Sequence, residues 1–449
     1  MIHGAVATLV LIAGLVGAMA LMSRLVAKGA VHPEVSRKAL HVCMGLSCLT
    51  LPWVFPDPVW FAIGFTMIMG TLAAVRYVPV ISRHLTGALH AVERSSGGDI
   101  YFAVSVALLY AVARDEPALY IMPLLVLTLA DALAALAGVF YAKTAYESYR
   151  SRKSWEGSIV FFIVAFLCIH VTILLLTDLD RLEGLTVSAT LAYVATLIEG
   201  ASWEGLDNLF LPVALYLLLE GFLRMNAAEV APNVGLTSAI ALVVLTATGW
   251  LISRFSHIPA DATMAMVAFG YIFWTVSDLA MIVPGLITGL ACVAAPVLFG
   301  FTDPRRIRGR TIAAACGPLT ILVILAVHGT SVPLVTAAHA AFAGTLGYVL
   351  PSLLYRRTPR TPNIAVGAGL GALAGALMLG SWLAVGEQTG QPATIAAAVE
   401  IFRASLVAGL IGGTRWSTRL SEGWWLAVLI ALTALAVAGA ALFQSGAIL

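Results

Sequence analysis

Two stretches of this sequence set polar, reactive side chains directly against apolar runs. In "LADALAALAGVFYAK", Asp131 is buried about three helical turns from the nearest polar loop. An ionised Asp inside such a run costs about 2.5–3.5 kcal/mol even on lenient insertion scales, so it needs a cation or a water-filled cavity. A basic side chain or a hydroxyl would satisfy it structurally. A Mg²⁺ ion would satisfy it functionally, and Mg²⁺ characteristically arrives with phosphates. Ala134, Ala135, Ala137 and Gly138 follow, and small residues let a helix or a ligand approach the backbone.

The second stretch is "SYRSRKSWEGSIVFF". Arg150 and Arg152 read as positive anchors at a membrane edge. That reading leaves Ser154, Glu156, Gly157 and Ser158 unexplained. They put hydroxyls, a carboxylate and a glycine at the start of an apolar helix, where free N–H groups favour anions. Lys153 beside them adds a mobile positive charge suited to phosphate.

Three more polar stretches share this edge. "LIEGASWEGLDNLFLP" carries Glu199, Glu204, Asp207 and Asn208; it is a solvated loop, a metal-ligand cluster or a group that activates a hydroxyl. "ERSSGGDIYFA" carries Glu93, Arg94 and two glycines before Asp99, which opens a helix and could simply cap it. "SRKALHVCMG" carries Arg37, Lys38 and His41 at another helix start. Carboxylates from several segments, together with cations for phosphate, are the parts of phosphoryl transfer. On that reading Asp131, with Glu204, Asp207 and Asn208, holds Mg²⁺. Lys153 and the Gly157 and Ser158 N–H groups stabilise the transferring charge, with Ser154, Glu156 and Gly138 around the phosphates. Arg37, Lys38 or Arg94 clamps the triphosphate tail, and Asp99 or Asp207 takes the proton of the accepting hydroxyl.

These side chains need a scaffold, and composition names its solvent. The chain has 449 residues, 60% hydrophobic and 11% charged. A soluble protein of this length carries roughly twice that charge. At ~20 apolar residues per crossing, the hydropathy predicts spans near 4–26, 39–55, 58–75, 99–113, 118–142, 157–176, 185–199, 208–223, 235–253, 262–280, 284–302, 311–328, 332–354, 364–386, 397–413 and 423–444. The expected fold is therefore an all-α polytopic integral membrane protein with about 14–16 transmembrane helices. The first span lacks a basic n-region and reads as retained rather than as a signal peptide. Cys43, Cys48, Cys168, Cys292 and Cys316 all fall inside apolar runs and read as small core residues.

With the loops alternating across a bilayer, 21 of the 25 Lys and Arg fall on one side; Arg114, Arg181, Arg224 and Arg403 are the exceptions. Positive residues favour the cytoplasm, so the five polar stretches face the cytoplasm and both termini lie outside. A net charge of +2 gives no reason to expect nucleic acid as a partner. Two parts are expected. Residues 1–225 hold nearly all the acidic groups at the cytoplasmic edge. Residues 226–449 are Gly- and Ala-rich helices with Arg-rich loops.

In this order, the segments resemble the polyprenol and phytol kinase family, which includes dolichol kinase and phytol kinase and is distantly related to the CDP-diacylglycerol synthases. The matching residues are "RKALHVCMG" (Arg37, Lys38, His41, Gly45), "GDIYF" (Gly98, Asp99, Tyr101), "DALAALAG" (Asp131, Ala134, Gly138), "KSWEGS" (Lys153, Ser154, Glu156, Gly157, Ser158) and "EGLDNLFLP" (Glu204, Asp207, Asn208, Pro212), over about residues 30–225. The resemblance implies a multi-span membrane kinase that moves a phosphoryl group from CTP, or ATP, to an isoprenoid alcohol in the bilayer, such as phytol, geranylgeraniol or a polyprenol. A prokaryotic cytoplasmic membrane is the expected location.

The second half is faintly similar to the phytyl-phosphate kinase family, through "DATMAMVAFGYIFW" and "PNIAVGAGLGALAGAL". That family's acidic motif is missing, since the chain reads "AFAGTLGYVLPS" there, so this half is expected to hold substrate or to make a homodimer. Two other functions use the same parts. A cytidylyltransferase making a CDP-lipid would release pyrophosphate. A transporter would exploit the many spans, and Asp278 in "WTVSDLAMIVPG" is its best sequence clue.

Overall fold

The computed structural model describes residues 2–77, 98–148, 151–227, 234–256 and 258–276. Arg94, Arg150, Asp278, the later expected spans, and the Gly-rich and carboxylate-free stretches of the second half lie outside them. The chain divides into two compact units, Met1–Leu242 and Val243–Leu449.

In the first unit, helix follows helix. α1 is Ile2–Ala27, α2 Pro33–Leu49, α3 Leu51–Val54, α4 Pro58–Tyr77 and α5 Gly98–Ala113. α6 (Pro117–Leu125), a π-helical segment (Val126–Ala130) and α7 (Asp131–Tyr141) then run on as one rod. A short hairpin follows, β1 (Ala145–Ser148) and β2 (Ser151–Ser154), and then α8 (Trp155–Leu176), α9 (Arg181–Ala201) and α10 (Asp207–Ala227). α11 (Val234–Ser256) crosses the boundary between the units, and α12 (Ala260–Val276) belongs to the second.

Among the described residues the fold is all-α apart from the hairpin, and the chain is a multi-pass membrane protein. Among the described residues, Thr8–Ala27, Pro117–Tyr141, Trp155–Leu176 and Arg181–Ala201 are long and apolar enough to cross a bilayer, and shorter apolar helices accompany them. Trp155, Ile159, Ile163, Leu167, Val171 and Leu175 of α8 are all exposed. Recurring every fourth residue, they form a continuous apolar stripe that winds along the helix, and that stripe suits lipid rather than water. The opposite face, with Phe161, Ala165, Ile169 and Ile173, is buried.

The α6–π–α7 rod is the axis of this unit. α8 packs along all three of its pieces, α2 lies against the same three, and α10 packs on α6 and the π segment. Leu124, Val126, Leu127 and Ala130 are fully buried there. Pro123 sits inside α6 and cannot donate to the carbonyl one turn back. The Val126 N–H is shared between the Met122 and Pro123 carbonyls, and the π turn follows directly. Such single π turns are frequent at functional sites. Here the turn ends on Ala130, and the next residue is Asp131.

α2 starts earlier than hydropathy suggested, at Pro33 rather than near residue 39. Pro33 is pre-set for the first helical turn, and the His32 ring accepts from the Glu34 N–H at 3.2 Å. Arg37 and Lys38 are therefore helical residues, not loop residues. The segment before α8 is also more ordered than a loop: its antiparallel register pairs Tyr146 with Lys153. Of the cysteines, Cys43 is exposed rather than a core residue, while Cys48 and Cys168 are partly buried.

In the second unit, α12 packs on α11 through glycines. A Cβ on Gly249 would strike the Val267 side chain, and Ser253 Oγ donates to the Ile258 carbonyl at 2.8 Å.

Candidate functional site

The buried carboxylate comes first. Asp131, on the first turn of α7, faces α2, where Lys38 Nζ reaches its Oδ2 at 2.6 Å. The Lys38 side chain is 5% exposed, so this is a desolvated pair. His41, one turn further along α2, places Nε2 3.1 Å from the Leu127 carbonyl and 3.5 Å from Asp131 Oδ2. An N–H at Nε2 donates to that carbonyl, and the His41 ring packs edge-on against Phe102. The close fit of α2 on the π segment depends on Gly45: a Cβ there would overlap the Thr128 side chain.

The second pair comes from the hairpin. Lys153 on β2 donates to Glu199 Oε1 at 2.7 Å and also to the Glu199 backbone carbonyl. That carbonyl belongs to the last turn of α9, so the ammonium sits at the negative end of a helix dipole. Burial alone would lower the pKa of Lys153. The carboxylates of Glu199 and Asp207 outweigh burial, and the net direction is upward. Tyr146, opposite Lys153 on β1, hydrogen-bonds Ser158 Oγ at 2.9 Å, and burial pushes its phenol up.

The remaining "KSWEGS" residues build the junction that carries Lys153. Ser154 is the N-cap of α8, accepting from the Gly157 N–H at 3.1 Å, so that N–H is satisfied within the protein rather than left for an anion. Glu156 accepts from the Lys143 and Thr144 N–H groups at 3.1 and 3.2 Å, which pins the start of the hairpin to α8. Gly157 lies where α8 crosses α7. A Cβ there would sit 3.1 Å from the Ala134 carbonyl and 3.7 Å from the Gly138 Cα. Gly138 has the Ser154 hydroxyl against it in turn. The small residues after Asp131 thus let the hairpin-bearing helix approach the rod that carries the carboxylate.

The third contribution is the turn before α10. Glu204 and Gly205 both adopt positive φ, 51° and 85°. For Glu this is an uncommon backbone state, of the kind that clusters at functional sites. The turn delivers Asp207 to the first position of α10, and Asn208 Nδ2 donates to the Gly98 carbonyl at 2.9 Å. That bond ties the start of α10 to the start of α5, where Asp99 follows Gly98.

The charges form one field. Asp207 lies within electrostatic reach of Arg37, Lys153 and Glu199, and Asp131 within reach of Arg37 and Glu199. Arg37 itself is held by Glu34 at 2.5 Å. The structure thus brings Lys38 against Asp131 and Lys153 against Glu199, with Asp207 and Arg37 nearby. Asp99 follows Gly98, whose carbonyl accepts from Asn208. Glu199 and Tyr146 are the residues that sequence reasoning did not place at the centre. The signal for Glu199 was its position at the end of an apolar helix, one turn before the acidic turn. Tyr146 had none without the hairpin register.

Among the described residues, no three His, Cys, Asp or Glu side chains gather tightly enough to form a metal cage. Mg²⁺ bound with a nucleotide asks for less: one or two carboxylates, with phosphates and water completing the shell. The carboxylates at hand for that smaller requirement are Asp131, which Lys38 already holds, and Asp207.

The chain is 29% identical over 206 residues to a phytol kinase of a Synechocystis species, covering 45% of this chain and 85% of that protein. No family model and no solved structure matches the chain. The phytol kinase match spans nearly the whole of that kinase, and together with the ordered motifs between residues 30 and 225 it supports kinship with the polyprenol and phytol kinase family.

Proposed function

We propose that the protein is a kinase for a membrane-embedded isoprenoid alcohol, such as phytol, geranylgeraniol or a polyprenol, with CTP or ATP as phosphoryl donor. The observation that carries this reading is the convergence of two lysine–carboxylate pairs, Lys38–Asp131 and Lys153–Glu199, with Asp207 and Arg37 in the same field. Lys153, Glu199 and Asp207 lie at the ends of apolar helices and Lys38 and Asp131 lie within them, so that a hydroxyl rising from the bilayer would meet a nucleotide from the cytoplasm there. The positive-inside bias puts that face in the cytoplasm and both termini outside. The resemblance to a phytol kinase supports the acceptor class.

The reaction is in-line. The alcohol oxygen attacks the γ-phosphorus, the bond to the β-phosphate oxygen breaks, and the nucleoside diphosphate leaves. The hydroxyl proton passes to Asp99 or Asp207. Lys153 and Lys38 meet the charge on the transferring and leaving phosphates, and Arg37 steadies the triphosphate. Asp131 and Asp207 would hold Mg²⁺, with Glu204 and Asn208 shaping the turn beside them; the ion supplies charge neutralisation to the phosphates. Ser154, Glu156, Gly157, Ser158 and Gly138 act by holding the hairpin and α8 against α7.

The test is alcohol-dependent turnover of radiolabelled CTP and ATP by membranes containing the protein, with a panel of prenols. The expected products are the prenyl monophosphate and CDP or ADP. Release of pyrophosphate instead would assign a cytidylyltransferase. Equal product from wild type and Asp131→Asn would eliminate the proposal.

A further inference from the structure

The Lys153–Glu199 pair is built more closely than a membrane-edge ion pair requires. Both side chains are largely buried, 16% and 14% exposed. The ammonium is bound twice by the same residue, through the carboxylate and through the backbone carbonyl. A lysine stem has four rotatable bonds and ordinarily swings as a mobile point charge. Here the stem starts from a β-strand residue in register with Tyr146, whose hydroxyl is tied to Ser158 on α8. Both ends of Lys153 are therefore fixed, one by the hairpin and one by the last turn of α9.

An ammonium has three N–H donors, and Glu199 takes two of them. The geometry leaves the third to point elsewhere. The next carboxylate in the lysine's field is Asp207, at the mouth of the acidic turn. We infer that Glu199 is a positioning residue that aims the remaining Lys153 N–H at the transferring phosphate. The inference rests on the kinase reading for its reaction but not for its geometry. It separates two roles for carboxylates here: Asp131 and Asp207 serve the phosphates' counter-ion, and Glu199 serves the lysine. A pair that only tied the hairpin to α9 would affect stability and leave the chemistry of each folded molecule intact.

The experiment uses the purified full-length protein in detergent, wild type, Glu199→Gln and Glu199→Asp, in two arms. In the first, an amine-reactive reagent modifies the protein with and without inorganic tripolyphosphate, and the rate at Lys153 is read by peptide mass spectrometry. Lys153 is expected to react slowly in wild type and more slowly with tripolyphosphate. In Glu199→Gln it is expected to react several-fold faster and without protection. In the second arm, prenol phosphorylation is measured against nucleotide concentration. Glu199→Gln is expected to lower kcat by about 100-fold, the scale for losing one aimed donor, with a much smaller change in nucleotide KM. Glu199→Asp, which keeps the charge on a shorter stem, is expected to recover part of kcat. Failure of tripolyphosphate to protect Lys153 in wild type would overturn the inference. So would an unchanged kcat in a Glu199→Gln protein whose Lys153 has become reactive. If Glu199→Gln does not fold, Glu199→Asp carries the same comparison. If wild type phosphorylates no alcohol, the kinase reading fails, and the labelling arm alone decides whether Glu199 directs Lys153 to a phosphate.

Discussion

Lys38 Nζ and Asp131 Oδ2 lie 2.6 Å apart although 93 residues separate them along the chain. Each is the other's answer to burial. Removing one partner of a buried pair leaves an uncompensated charge, which costs about 3–5 kcal/mol, whereas replacing both by neutral groups is often tolerated. Asp131→Asn and Lys38→Met should each lower the thermal midpoint in detergent, and the double variant should recover much of that loss. None of the three should regain prenol phosphorylation. A double variant as unstable as the worse single one would show that the pair is not the unit.

Gly45 permits α2 to approach the π segment. Gly45→Ala should force the two apart, because the added carbon overlaps both the Thr128 side-chain tip and its Cβ. Overpacking of this kind costs about 1–3 kcal/mol. Thr128→Ala in the same chain should relieve only part of it, since the Cβ remains. Thermal melts of the two single variants and the double variant check this.

The lysine of the hairpin makes a prediction in pH. Burial alone would depress the Lys153 pKa, but Glu199 and Asp207 raise it above the ordinary lysine value. A raised folded-state pKa stabilises fully below the unfolded value of about 10.4 and is lost as pH rises through the folded one. The midpoint difference between wild type and Lys153→Met should therefore stay level from about pH 7 to about pH 9.5 and narrow only above the unfolded lysine value. A difference that already shrinks near neutrality would mean that Lys153 is not held as described.

Asn208 joins α10 to α5 through the Gly98 carbonyl. Asn208→Ala should cost about 1 kcal/mol, the scale of one hydrogen bond. It should also loosen Asp207 beside it, so phosphorylation should fall more than stability does. Asn208→Asp, which cannot donate when ionised, should behave like the alanine variant. Activity per folded molecule, set against the melting curve, separates the two effects.

Much of this layout could be read before any coordinates. Apart from α2, the described apolar helices end within a few residues of their hydropathy limits, because a bilayer imposes one length rule on them: 157–176 is expected and Trp155–Leu176 is found. Asp131 stood out because a lone carboxylate in an apolar run must be answered by something. What answers it was not legible, because Lys38 comes from another helix and its pairing is a tertiary fact. The hairpin was missed because "AYES" and "SRKS" are short and polar and carry no alternation to mark a strand. The junction roles of Ser154, Glu156 and Gly157 were hidden for a related reason: a capping residue and an anion-binding residue look alike in sequence, and only the partner distinguishes them.

The π turn carries one last consequence. A π turn amounts to an α-helix with one residue spliced in, and each residue of an α-helix turns the chain by about 100°. Excising one residue from Val126–Ala130 would leave a continuous rod of the same composition. It would also swing Asp131 round the barrel of that rod, away from Lys38 and His41, and bring a different side chain to face them. The address of the carboxylate is thus written in the winding of its helix as much as in its identity.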